Sequence, residues 1–339
     1  MEEAEQEAVN FGTSLLVPSV QELAKQPITS IPPCYVRDHL DRPIHNLSPL
    51  SVPVIDLQRL LHAHSVDSEL HKLHSACKHW GFFQVINHGV GGLLLETFKS
   101  EVTNLFQLPM EEKKKLWQQP DNHEGFGQLF VVSEDQKLDW SDMEVMEAYV
   151  AAMKELALTL LNQMAKALGM DENEMAGLFS NGVQSIRMNY YPPCPEPDKA
   201  IGFTPHSDAD AITILFQLND TQGLQVRKDG HWASVEPLPG AFVVNVGDIM
   251  EIVSNGVYRS IEHRATVNLA KERLSVATFY SSNLESELGP TGSIIGPHNP
   301  PRFRREPTAQ YLKGFFASKL NGKSYLDVMR LQQGESNTM

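Results

Sequence analysis

The 339-residue chain is poor in cysteine, holding only Cys34, Cys77 and Cys194. They lie far apart and show no metal-ligand spacing, which excludes a disulfide framework and predicts a reducing compartment. No apolar run nears the roughly 20 residues needed to span a bilayer, so no membrane partner is expected. Basic residues are in deficit. Lys+Arg number 28 against 42 Asp+Glu, a formal charge of −14, which argues against nucleic acid and anionic membranes as partners. The opening Met1-Glu2-Glu3-Ala4-Glu5-Gln6-Glu7 has neither the apolar core of a signal peptide nor the Arg-rich character of a transit peptide. A cytoplasmic monomer is the expectation. No solenoid-length repeat is visible.

What is present is an ordinary globular composition, 41% hydrophobic and 21% charged, enough for one large β domain with helical additions or for two domains. The first half reads as helical and mixed. Ser19 with Glu22 makes a capping-box pattern for a short helix that Pro32-Pro33 ends. Ser51 to Leu57 reads as a strand with Pro53 near its start, hence at an edge or strand end. Leu70, Leu73, Ala76, Cys77 and Trp80 give a helical period over 69–80, and Phe82 to Asn87 a buried strand. Helices follow over 91–107 and 109–118, the second opened by Pro109. Met143 to Gly169 is expected to be one long helix, with a core stripe through Met153, Leu156, Leu160 and Met164. From Ser185 short strands dominate: 185–191, 212–218, 224–226, 232–236, 241–246, 259–267 and 273–280. Such runs with Gly/Pro turns indicate a sandwich or barrel. Lys319 to Leu331 reads as a terminal helix.

Chemistry concentrates between His206 and Ser275. Two imidazoles and one carboxylate can occupy one face of a ferrous ion and leave the other positions open. A His-x-Asp/Glu triplet is weak alone; with 13 His and 42 Asp+Glu in 339 residues, about one or two arise by chance. The chain holds two. His39-Leu40-Asp41 lies between Pro33 and Pro43 and reads as surface loop. His206-Ser207-Asp208 runs into the β-branched Ala211-Ile212-Thr213-Ile214, so His206 and Asp208 are expected to share a face at a strand's start. His263 lies in a second apolar strand. Arg273 and Ser275 point to one side of a third, where a guanidinium fork and a hydroxyl can hold a carboxylate. His88, at a strand end before Gly89, and His62 with His64 read as structural or solvated.

With Arg187-Met188-Asn189-Tyr190-Tyr191-Pro192-Pro193-Cys194-Pro195, Val244-Asn245-Val246-Gly247-Asp248, Ser254-Asn255-Gly256 and Glu262-His263-Arg264, these motifs resemble the plant 2-oxoglutarate- and Fe(II)-dependent dioxygenases. Within them the chain is most similar to the senescence-related and thebaine 6-O-demethylase-like branch, over about Val17 to Leu331. The resemblance implies an α+β, mainly β fold: a double-stranded β-helix (jelly roll, cupin-like) core with flanking N-terminal helices. It implies an N-terminal arm over 1–50, a helical and mixed region over 51–180, the dioxygenase jelly roll over 181–283 and a C-terminal extension over 284–339. His206, Asp208 and His263 would hold Fe(II). The distal carboxylate of 2-oxoglutarate would meet Arg273, Ser275 and the Tyr191 phenol, with Asn189 near the iron-bound end. Ascorbate is the implied reductant, O₂ the co-substrate, and the organic substrate an aromatic plant metabolite such as an alkaloid or flavonoid, hydroxylated or O-demethylated. Gly125 to Val132 would lie beside that substrate.

One departure stands out. Met143 runs directly into Glu144-Val145-Met146-Glu147, where the resembling family carries a further strand and a Pro-rich loop. The shortening implies an exposed sheet edge and a more open substrate side. The alternatives are an inactive shortened isoform that binds iron or 2-oxoglutarate without turnover, and an ascorbate-using oxidase independent of 2-oxoglutarate.

Overall fold

The computed structural model describes residues 15, 17–45, 47, 51–116, 136–137, 142–144 and 149–331. Residues 1–14 of the expected N-terminal arm, and the stretch Gly125 to Val132 expected beside the substrate, lie outside these.

Helices precede and flank the sheets. The first, α1 (Val20–Ala24), is capped by Ser19, whose side chain accepts the Glu22 N–H. Next come β1 (Val54–Asp56), α2 (Leu57–Leu61), α3 (Val66–His79), β2 (Phe82–Ile86), α4 (Gly92–Gln107) and α5 (Met110–Lys113). A short strand β3 (Asp142–Glu144) leads to α6 (Val150–Leu168) and α7 (Glu172–Phe179). The expected long helix from Met143 is therefore shorter at its start: residues 142–144 pair with a later strand instead. Its stripe holds, since Met153, Leu156, Leu160 and Met164 are buried. It ends where Gly169 turns into the left-handed region at φ 69°, which a glycine adopts without steric cost.

The remaining strands are β4 (Gln184–Tyr191), β5 (Phe203–His206), β6 (Ile212–Gln217), β7 (Leu224–Lys228), β8 (His231–Ser234), β9 (Phe242–Val246), β10 (His263–Ala265), β11 (Arg273–Tyr280), β12 (Glu287–Leu288) and β13 (Glu306–Pro307). A six-residue helix α8 (Asp248–Val253) follows β9, and α9 (Thr308–Phe316) follows β13. The expected terminal helix over 319–331 is reduced to a 3-10 turn at Leu326–Met329; before it the backbone bridges His206 at Gly322 and turns over 323–325.

A seven-stranded sheet runs β1-β2-β9-β6-β11-β4-β3 and a four-stranded sheet β5-β10-β7-β8. Together they make the jelly roll. On the face of the larger sheet turned away from the cleft, Val244, Val246, Leu274 and Val276 pack with the helices in the main core, and Phe82, Leu224, Val226 and Val243 belong to a second, smaller cluster. The strand order has two consequences. β1 lies at an edge, as its proline predicts. At the other edge residues 142–144 form β3 and pair with β4, so β3 is the edge strand beside the shortened junction. No described helix is long and apolar enough to cross a membrane.

Candidate metal centre and anion pocket

The site lies between the sheets. Long antiparallel strands alternate their faces. The β4–β11 ladder sets Tyr191 opposite Arg273, Asn189 opposite Ser275 and Arg187 opposite Ala277. β6 continues the rungs, with Gln217 beside Ser275 and Thr213 beside Phe279, and Asn245 of β9 stands next to Thr213. Apart from Gln217, these side chains line one cleft together with Phe203, Leu224, Asp208 and His263.

His206 is the last residue of β5, and Asp208 sits in the connection to β6. The two do not share the start of one strand, as the alternation had suggested. His263 opens β10 and is the cross-strand partner of His206. β10 is only three residues long, shorter than the 259–267 expected, because the preceding segment turns to bond with α8. One ligating atom from each of His206, Asp208 and His263 lies within 4.8 Å of the others. His206 Nε2 is 3.2 Å from Asp208 Oδ1, and His263 Nε2 is 3.7 Å from it.

Both rings are held by their other nitrogen. His206 Nδ1 faces Thr204 O at 2.7 Å and His263 Nδ1 faces Ile261 O at 3.2 Å. A carbonyl only accepts, so each Nδ1 carries the proton and each Nε2 keeps its lone pair for the centre. Burial and the adjacent His206 push the His263 imidazole down to about 4, which keeps it neutral. Asp208 is 4% exposed. Burial would raise its carboxyl, but His263, His206 and the Thr213 hydroxyl outweigh that and hold it well below the usual carboxylate range. Its Oδ2 accepts from Thr213 Oγ1, and from Asn245 Nδ2 at 2.8 Å. Oδ1 therefore faces the imidazoles.

These residues fit a divalent iron. The donor set is two imidazoles and a carboxylate. His206 Nε2 is buried without a hydrogen-bond partner among the described residues, as a metal-facing nitrogen would be.

Along the same face, Arg273 is 3% exposed. Nη1 donates to Ser275 Oγ at 3.2 Å and Nη2 to Gln217 Oε1 at 3.1 Å, while the guanidinium lies 5.3 Å from the Tyr191 ring centroid. No carboxylate among the described residues pairs with it. A buried cation beside neutral partners is costly unless an anion joins it. The donor set, a fork and a hydroxyl beside a phenol, fits the carboxylate of 2-oxoglutarate. Asn189 Oδ1 is likewise buried without a hydrogen-bond partner among the described residues.

The sequence reading missed Thr213 and Asn245 as supports of Asp208, and Gln217 as a partner of Arg273. Asn245 left a signal: an amide inside Phe242-Val243-Val244-Asn245-Val246 must be bonded if that strand is buried. His39-Leu40-Asp41 forms an exposed 3-10 turn, remote from the cleft lining. His88 bonds Gly240 O at 3.0 Å, and His62 and His64 are exposed.

Comparison with known proteins agrees with this geometry. Residues 182–282 match the 2OG-Fe(II) oxygenase superfamily, and residues 52–166 the N-terminal region of non-haem dioxygenases in morphine synthesis. The chain is 51% identical to the oxoglutarate-dependent flavonoid 7-O-demethylase 1 of Ocimum basilicum, covering 96% of this chain and 94% of that protein. That alignment spans 351 positions, more than the 339 residues here, so the relative holds stretches without a counterpart in this chain. The chain is 47% identical to codeine O-demethylase of Papaver somniferum, covering 95% and 98%. The solved structure of JOX2 in complex with 2OG, Fe and JA superposes with a TM-score of 0.84 at 32% identity, covering 93% of this chain and 98% of that one. The chain belongs to the 2OG-Fe(II) oxygenase superfamily and is a 2-oxoglutarate-dependent dioxygenase.

Proposed function

We propose that His206, Asp208 and His263 hold the iron, that Arg273, Ser275, Tyr191 and Asn189 hold 2-oxoglutarate, and that the substrate is an aromatic plant specialised metabolite. The observation that carries this reading is the meeting of three ligand atoms within 4.8 Å in the same cleft as a buried, carboxylate-free guanidinium. When bound, iron with 2-oxoglutarate and O₂ supplies an oxidant able to take hydrogen from an unactivated C–H bond, with succinate and CO₂ as co-products.

The protein's share is placement. Asp208 offers a single negative charge through Oδ1, because Thr213 and Asn245 engage Oδ2. A dication so ligated keeps net positive charge, which favours a dianionic co-substrate. Arg273 fixes the far end of that dianion and so sets which end reaches the metal. At the other end of the β4–β11 face the cleft is aromatic. Arg187 lies 4.2 Å from the Phe203 ring centroid and 5.2 Å from that of Phe279. Flat rings suit such a wall. Oxygen left on a ring or chain carbon is hydroxylation. Left on an O-methyl carbon, it gives a hemiacetal that falls to alcohol and formaldehyde. Relatives named for O-demethylation of a flavonoid and of codeine favour the second outcome. Cys34, Cys77 and Cys194 are free thiols, which supports a reducing, cytoplasmic setting.

The test is O₂ uptake with methoxylated flavonoids and alkaloids, with formaldehyde and succinate counted together. Uptake that needs both Fe(II) and 2-oxoglutarate, with formaldehyde equal to substrate consumed, supports the reading. Iron and 2-oxoglutarate binding without turnover on the panel would instead favour a binding protein.

A further inference from the structure

Behind the two histidine segments runs a C-terminal strap, residues 319–331, none of which lines the cleft. Gly322 bridges His206 in parallel: its N–H donates to Pro205 O at 3.0 Å, and its carbonyl accepts from Ser207 N at 3.2 Å. The backbone there has φ +54°, and a Cβ would meet Glu262 Oε1 at 3.3 Å, so the strap passes against the residue before His263 as well.

The next residue reaches the other histidine segment. Lys323 Nζ donates to Ser260 O at 2.9 Å and to Glu251 Oε2 at 2.7 Å. Glu251, on α8, is 3% exposed. Its Oε2 also accepts Ser260 N at 2.8 Å and Ser260 Oγ at 3.0 Å, and its Oε1 accepts Arg330 Nη2 at 2.7 Å. Ser260 immediately precedes Ile261, whose carbonyl holds His263 Nδ1. The far end is anchored by the buried Leu326 and Met329 and by backbone bonds from Arg304 to Met329 and from Leu331 to Arg302, both at 2.9 Å.

A buried carboxylate with two cations adds little net stability over an apolar replacement, because desolvation offsets the attraction. Such a hub is better explained by what it fixes. Here it fixes the backbone that leads to His263, and it tethers the residue after Gly322, whose own backbone bonds hold Pro205 and Ser207 on either side of His206.

We propose that the strap is a positioning device for the metal centre, latched by Glu251, Lys323 and Arg330, which sets the spacing of the His206 and His263 rings from outside. The proposal rests on the reading of these histidines as iron ligands. Co(II) serves as the probe, titrated into full-length apoprotein, with its visible ligand-field bands and the apoprotein melting temperature recorded. Wild type should take up one Co(II) and His206→Ala should lose it; failure of either result overturns the ligand assignment itself. Given those controls, Lys323→Met should weaken Co(II) binding about tenfold or more and alter the band pattern. Lys323→Arg should recover most of the loss. Arg330→Met should weaken binding by a smaller factor, with melting temperatures near wild type. Should Lys323→Met not fold, Arg330→Met carries the test, since its side chain is 41% exposed. Wild-type Co(II) affinity in these variants, or losses that merely track melting temperature, would overturn the strap's role.

Discussion

The two ends of the cleft are built differently. At the anion end, Asn189 and Ser275 sit inside the eight-residue β4–β11 ladder and Tyr191 and Arg273 form its end rung, each fixed by strand register. At the metal end the ligands sit at seams: the end of β5, the connection beyond it and the first residue of β10. Ladder residues inherit their geometry from many backbone bonds. Seam residues take theirs from particular contacts: Thr213 and Asn245 on Asp208, two backbone carbonyls on the rings, and Gly322 behind His206. The metal end should therefore be the more sensitive to substitutions that touch no ligand.

The largest effect breaks the comparison outright. His206→Ala or Asp208→Ala should abolish iron-dependent succinate formation, measured under controlled iron; wild-type-like turnover in either would remove that residue from the centre. Arg273→Met should raise the 2-oxoglutarate requirement by about two orders of magnitude, since truncating one partner of a buried charge pair costs about 2–5 kcal/mol. Its effect on Co(II) affinity without 2-oxoglutarate should be small, which co-substrate titration and metal titration separate.

Gly247→Ala sharpens the point about seams. A Cβ there would lie 2.0 Å from Asp210 O and 3.1 Å from Asp208 O, so the ligand connection must shift. Overpacking of this kind costs about 1–3 kcal/mol. Metal affinity should fall more than 2-oxoglutarate affinity, as isothermal titration would register. Asn245→Ala, which strips one bond from Asp208 Oδ2, should weaken metal binding about tenfold. Ser275→Ala should be the mildest, raising the 2-oxoglutarate requirement by less than about tenfold, the worth of a single neutral hydrogen bond.

The same contrast explains what could be read from the sequence. The strand β11 was legible at both ends, because Arg273, Ser275, Leu274 and Val276 alternate with period two across one buried and one lining face. The length of α6 was misjudged, since Val145 continues the helical period although residues 142–144 pair with β4. Local pattern carries no information about a distant partner strand. For the same reason the strap at 319–323 read as helix: the backbone bonds of Gly322 go to Pro205 and Ser207, far off in the chain. The metal residues were visible by type, but the placement of His206 at a strand's end and Asp208 beyond it was not. Convergence there depends on Thr213, Asn245 and Gly247, whose roles appear only once β6, β9 and α8 are assembled around the connection.

The central claim is that one cleft joins a metal seam to an anion ladder. Crystals grown anaerobically with Fe(II) and 2-oxoglutarate test it most directly. The account predicts density for a metal bonded to His206 Nε2, Asp208 Oδ1 and His263 Nε2, and a carboxylate of the co-substrate seated on Arg273 and Ser275. Metal density elsewhere, or a co-substrate turned away from Arg273, would contradict it.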